Sequence, residues 1–261
     1  MNEFGLQVAL GNVQSYKKIN KFGETPNADS GVATDLWDGS VSTVIWVPPN
    51  AARVHQIDST DAADAAAGTG MRTLRLWGLK TWGSKETFED VILDGTSNVA
   101  TANAYVIIHR MKGLTWGSGG VNAGLVCATA DTDSTVTACI VATQNQSQMM
   151  IYGVPSTQRL EVTRFGAQLV KNTGATQRAD GEILWMEDAE TNAAANTAWT
   201  NKENFLVIEA ASPWSHPYDP TKSFEGPGII KFQVSSNAAD VKVIGFMDAY
   251  LVDKSVAGTA E

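Results

Sequence analysis

Three histidines, His55, His109 and His216, and two cysteines, Cys127 and Cys139, are the side chains of this sequence best suited to nucleophilic or metal chemistry. A hydrolytic triad needs a nucleophile, a base and an orienting carboxylate, and no serine here sits in a Gly-x-Ser-x-Gly elbow. His55 and His109 fall in stretches that read as β-strands, where a hydrogen-bonded structural histidine is the simpler reading. No histidine pair is spaced i, i+2 or i, i+4, and neither cysteine has a neighbour at zinc-ligand spacing. Asp131-Thr132-Asp133-Ser134 opens like a calcium loop but lacks the sixth-position glycine and the distal glutamate, so it reads as an acidic hairpin tip. Glycoside hydrolysis needs two opposed carboxylates, and sequence spacing pairs none. The expectation is a non-enzymatic chain with no catalytic residue, no cofactor and no metal.

The cysteines sit in a hairpin pattern, with strands at 125–130 and 135–142. A loop centred on Asp133 sets Cys127 opposite Cys139, Leu125 opposite Val141 and Thr129 opposite Thr137. Two readings stay open: a cross-strand disulfide formed outside the cell, or two small buried apolar residues, the second being preferred. Of eight tryptophans, Trp46, Trp77 and Trp185 lie in strands and read as core, whereas Trp116 and Trp214 lie in loops and read as partner surface. The segment 212–220 adds three prolines, His216 and Tyr218 around Trp214. It reads either as a loop stiffened for binding or as a crossover lying on the fold.

Elements that position such residues follow from composition. Hydrophobic residues make up 43% and charged residues 18% of 261 residues, a balance that folds rather than stays disordered. Twenty-three glycines among many Ser, Thr, Asn and Asp residues suit short strands joined by turns. A net charge of −9 repels phosphate backbones and anionic lipid heads, which argues against nucleic acid and membrane as partners. No run approaches the ~18 apolar residues of a membrane span, and the start shows no secretory signal.

β-Patterns cover 41–47, 53–59, 71–79, 86–93, 98–101 and 105–111, then the 125–142 hairpin. Further strands are expected at 148–154, 159–171, 182–187, 204–210, 228–235 and 241–252. That makes about a dozen short strands, and only 189–200 has any helical character. No repeat and no βαβ alternation is visible. The pattern predicts an all-β, jelly-roll-like antiparallel β-sandwich spanning 31–261. Residues 1–30 read as an extended N-terminal arm. Phe4, Leu6, Val8 and Leu10 alternate as if to add a strand to a neighbour's sheet, and Lys17, Lys18, Lys21 and Phe22 join the expected partner surface.

Several segments together resemble virion structural proteins of tailed bacteriophages. They are Lys21-Phe22-Gly23, Ile45-Trp46, the 68–79 strand Gly-Thr-Gly-Met-Arg-Thr-Leu-Arg-Leu-Trp-Gly-Leu, and Val91-Ile92-Leu93-Asp94-Gly95-Thr96. Ile108-His109-Arg110-Met111, Gly-Ser-Gly-Gly-Val-Asn-Ala-Gly at 117–124, and Gln144-Asn145-Gln146-Ser147-Gln148-Met149-Met150 before Val154-Pro155 complete the set. The resemblance spans 20–190. It implies a capsid decoration (cement) protein that binds the major capsid protein or other virion proteins and stabilises the head. Such a protein is expected as a homotrimer in the virion, assembled in the host cytoplasm. The alternative it implies is a tail or head-fibre adaptor contacting a host surface glycan or other tail proteins.

Overall fold

A computed structural model describes residues 3–39, 45–170, 177–209 and 213–255. The chain is all-β with antiparallel sheets. Helix α1 (Glu3–Ala9) precedes β1 (Tyr16–Ala28), β2 (Thr34–Asp35), β3 (His55–Ser59), β4 (Met71–Leu79), β5 (Thr87–Ile92), β6 (Val99–Ala100), β7 (Ile107–Trp116), β8 (Val126–Ala130) and β9 (Val136–Ile140). Then come β10 (Ile151–Val154), β11 (Gln158–Val170), β12 (Arg178–Glu187), α2 (Ala189–Asn192), β13 (Trp199–Ile208), β14 (Trp214–Glu225), β15 (Gly228–Ser236) and β16 (Val241–Asp253).

Among the described residues the strands form four sheets. The first has the order β1-β16-β11-β14, and the second β10-β15-β12-β13 with β2 added on β15. The third is β6-β3-β8-β9 and the fourth β5-β4-β7. Sheets one and two are built from the two ends of the chain, and sheets three and four from the stretch between them. Each pair of sheets contributes to its own apolar core. Phe165, Leu160, Val243 and Leu251 from the first sheet meet Phe232, Ile183, Trp185 and Phe205 from the second. Leu74, Leu76, Ile107 and Met111 from the fourth meet Ile57, Val126, Ala128 and Ile140 from the third.

One sheet serves both cores. Successive strand residues point to opposite faces, and neighbours here go to different cores. Tyr152, Trp185 and Ile230 belong to the first, while Ile151, Met186 and Ile229 belong to the second. β10 is therefore buried along its whole length, and β15 over its first five residues. A strand covered on both sides reads as a continuous apolar run rather than an alternating one, which is the pattern of Gly228-Ile229-Ile230.

The extended arm is corrected. Tyr16 to Thr25 pair residue for residue with β16, and Ile19, Lys21, Gly23 and Thr25 are buried on the inner side. Their types hid the strand: a lysine and a glycine stand where apolar side chains are expected. A Cβ at Gly23 would lie 2.4 Å from the Met150 backbone nitrogen and 2.6 Å from the Leu36 carbonyl oxygen, so only glycine allows this approach. The alternating Phe4–Leu10 pattern is likewise not a strand. In α1, Phe4 and Val8 lie one turn apart on the packed side. Val8 is buried, and Phe4 meets Tyr16 and Tyr250 edge-on at 5.4 and 5.6 Å. Of the expected strand at 41–47, residues 41–44 lie outside the described residues, and 45–47 are not in a strand. The weak helical signal at 189–200 corresponds to α2 and a following 3-10 turn, Ala193–Ala195.

Candidate functional site

The segment 212–220 reads from sequence as a stiffened loop or a crossover, but from Trp214 onward it is strand β14, at the edge of the first sheet. Prolines fit there because an edge strand has one side with no ladder to donate to. The ladder with β11 breaks between Arg164↔Pro217 and Val162↔Lys222, so Tyr218, Asp219, Pro220 and Thr221 form a bulge. Strand β13 is the corresponding edge of the second sheet. The two edges lie side by side and close one flank of the first core.

Aromatic side chains fill this flank. Trp214 stacks on Phe205 with ring centres 4.7 Å apart and planes 19° apart, so one indole face is already covered. His216 packs on Tyr218 at 4.6 Å, and Tyr218 meets Phe165 edge-on. Glu203 of β13 ties the two edges together. It accepts hydrogen bonds from the Tyr218 hydroxyl and, at 3.0 Å, from Lys222 Nζ, with His216 Nδ1 at 3.5 Å. Thus Trp214, His216 and Tyr218, grouped by sequence, are grouped in space as well.

Beside them lies an apolar surface that the sequence reading missed. On β13, Phe205 and Val207 enter the core while Leu206 and Ile208 stay 44% and 43% exposed. The missed signal is the unbroken run Phe205-Leu206-Val207-Ile208, where a half-buried edge strand should alternate. A groove of about 520 Å³ runs from Leu206 across Asp180, Glu182 and Gln233 to Gly31 and Ala33, next to exposed Val32. Strand β5, an edge of the fourth sheet, likewise exposes Phe88 and Ile92. Edge strands with outward apolar side chains are templates for another chain.

The basic residues of β1 lie elsewhere. Lys18 and Phe22 are on its outward side, with Phe22 opposite Phe246. Lys17 and Lys21 point into a seam between β1, β7 and β10. There the Glu86 carboxylate accepts from Lys17 Nζ, from His109 Nε2–H at 2.9 Å and from the Tyr152 hydroxyl at 3.2 Å. Burial alone would raise Glu86, but the His109 hydrogen bond and the Lys17 charge outweigh it and hold the carboxyl far below its usual range. Burial pushes His109 down, so its ring is neutral, with Nε2 as donor and Nδ1 buried without a partner. Lys21 donates to the His109 carbonyl at 2.5 Å, and burial together with the Arg110 charge brings it down to about 7.

The remaining predicted residues are scattered. Trp116 ends β7, partly buried on the second core, and its indole N–H donates to Asn145 Oδ1 at 2.9 Å. It is anchored rather than free in a loop. Trp77, expected in the core, is only half-buried, on the outward side of β4 beside Arg110. Cys127 and Cys139 face each other as expected and are joined as a disulfide, the first of the two readings. The hairpin register slips by one residue after Ala128↔Ala138, so Thr129 pairs with Val136 and not Thr137. Asp133 at the hairpin tip accepts the Asn50 N–H at 3.0 Å and lies 3.7 Å from Arg53. Among the described residues no group of three or more His, Cys, Asp or Glu is placed to hold a metal. No described helix is long and apolar enough to cross a membrane.

No protein-family model matches the chain, and no curated protein matches it. Among solved structures, a chain from the infectious bursal disease virus Gt strain aligns over 97% of this chain and 79% of its own, at 9% identity and a TM-score of 0.19. That degree of likeness carries no weight for fold or function.

Proposed function

We propose that this chain is a virion structural protein of the tailed-phage type, a capsid decoration protein that binds the major capsid protein and stabilises the head. The observation that carries the reading is the β13 edge, where Leu206 and Ile208 stand exposed beside the groove on the second sheet. In this reading the first two sheets form the jelly-roll-like sandwich, and its β13–β14 flank is the docking surface. Heterologous contacts between copies through this edge would close into rings such as a homotrimer. The aromatic and proline-stiffened β14 lowers the entropy lost on docking.

The test is binding of the purified chain to capsids that lack it, alongside its mass in solution by light scattering. Expected is a trimer that sediments with the capsids and raises their melting temperature. Leu206→Asp with Ile208→Asp should keep the circular dichroism spectrum and lose sedimentation. A strictly monomeric protein that leaves such capsids unbound would defeat the proposal.

A further inference from the structure

The seam beneath β1 holds more positive charge than its carboxylate balances. A cavity of about 170 Å³ opens there, lined by Lys17, Lys21, Trp77, Glu86, His109 and Arg110 among others. Glu86 is the carboxylate in that lining, and it is already engaged by Lys17, His109 and Tyr152. Two cations remain. Lys21 Nζ is buried and bonded to one carbonyl, which offsets no full charge. Arg110 lies 5.1 Å over the Trp77 ring and, among the described residues, has no carboxylate partner. The two repel each other, and that repulsion contributes to the lowered Lys21.

A buried cation is costly unless an opposite charge or several acceptors meet it. Here the fold keeps two neighbouring cations against open space, in a protein whose net charge is −9. We propose that this cavity binds a small oxyanion, a carboxylate or phosphate group held between Lys21 and Arg110 against the Trp77 ring. Arginine suits the planar, two-pronged contact and lysine the point charge. The anion would restore Lys21 toward its ordinary titration range.

The test is titration of isotopically labelled protein, followed by nuclear magnetic resonance at the Trp77 indole N–H. Inorganic phosphate, glucuronate and neutral glucose are the three probes. Expected is a saturable shift with phosphate, glucuronate or both, and none with glucose. Phosphate alone points to a phosphate group, and glucuronate alone to a carboxylate. Arg110→Gln is half-exposed and should fold normally, and it should weaken binding about tenfold, the loss of one charge-assisted contact. Lys21→Met should weaken it further, with intact circular dichroism as its control. Bound anion should also raise the pH at which the Lys21 ammonium titrates. No saturable shift with either anion, an equal shift with glucose, or undiminished binding in Arg110→Gln overturns the proposal.

Discussion

Lys231 of β15 and Asp35 of β2 form an ion pair at 2.8 Å in which neither side chain is more than 3% exposed. Lys231 stands between Ile230 and Phe232, which face the first core, so it points to the opposite side of the shared sheet. There its ammonium also lies 4.5 Å over the Trp199 ring. Asp35 in turn accepts from the Trp46 backbone N–H at 2.7 Å and from Gln233 Nε2 at 3.0 Å. One carboxylate thus joins β2, β15 and the chain leading into the second core. Removing one partner leaves a charge stranded, which costs more than the pair itself contributes. Lys231→Met is expected to lower stability by about 3–5 kcal/mol in urea unfolding. Adding Asp35→Asn, which keeps an acceptor for Trp46, is expected to restore part of that loss. An undiminished double mutant loss would show that the pair matters through packing alone.

Asp64 organises the 58–70 loop from inside. Its two oxygens accept from the Ser59 hydroxyl and from the backbone N–H groups of Met71, Ala123 and Gly124, all between 2.7 and 2.9 Å. In a small, polar loop that reads as exposed, this side chain is fully buried. Four donors converge on it, so an amide is a poor substitute: its NH₂ would face donors. Asp64→Asn is expected to destabilise the chain by about 1–3 kcal/mol, the cost of buried donors left unmatched. A thermal melt unchanged by this substitution would remove Asp64 from its role as a hub.

What the sequence disclosed depended on whether side-chain type and burial agreed. β4, β7 and the β8–β9 hairpin were legible because Leu74 and Leu76, or Val126 and Ala128, alternate with less buried residues. β1 was hidden because Lys21 and Gly23 occupy inward positions. β14 was hidden because an edge tolerates prolines. The seam around Glu86 joins residues 17, 21, 86, 109 and 152, and no local pattern marks a carboxylate whose partners come from three distant segments. Lys17 and Lys21 were singled out for their charge, while Glu86 and Tyr152 acquire meaning only once β1, β7 and β10 meet.

The Cys127–Cys139 bond joins adjacent strands across a separation of 12 residues. Closing a loop of that size removes unfolded-state entropy worth about 3 kcal/mol on the chain-entropy account. Replacing both cysteines by serine is expected to lower stability by about that amount. Intact mass before and after reductant and alkylation is the direct check. A pair already alkylated without reductant would mean that the isolated protein carries free thiols.

His55 gives the stability of the chain a defined acid limb. Its Nδ1–H donates to the Arg53 carbonyl at 2.9 Å, and its Nε2 is buried without a partner. Burial pushes its pKa down to about 4, outweighing the Arg53 carbonyl and the Asp133 charge, which favour the protonated ring. Between about pH 6.5 and about pH 4 the unfolded chain therefore binds more protons at this residue than the folded one. Its contribution to stability is complete above that window and is lost as the pH falls through it. Asp38 acts in the opposite sense, since burial raises its carboxyl to about 7 and its contribution declines as the pH rises toward that value. The wild-type curve alone mixes the two. The difference between wild type and His55→Gln isolates the histidine, because Asp38 is common to both. Urea unfolding across the window should show the wild type losing stability on acidification relative to His55→Gln. Parallel curves for the two proteins would mean that His55 titrates alike in the folded and unfolded chain.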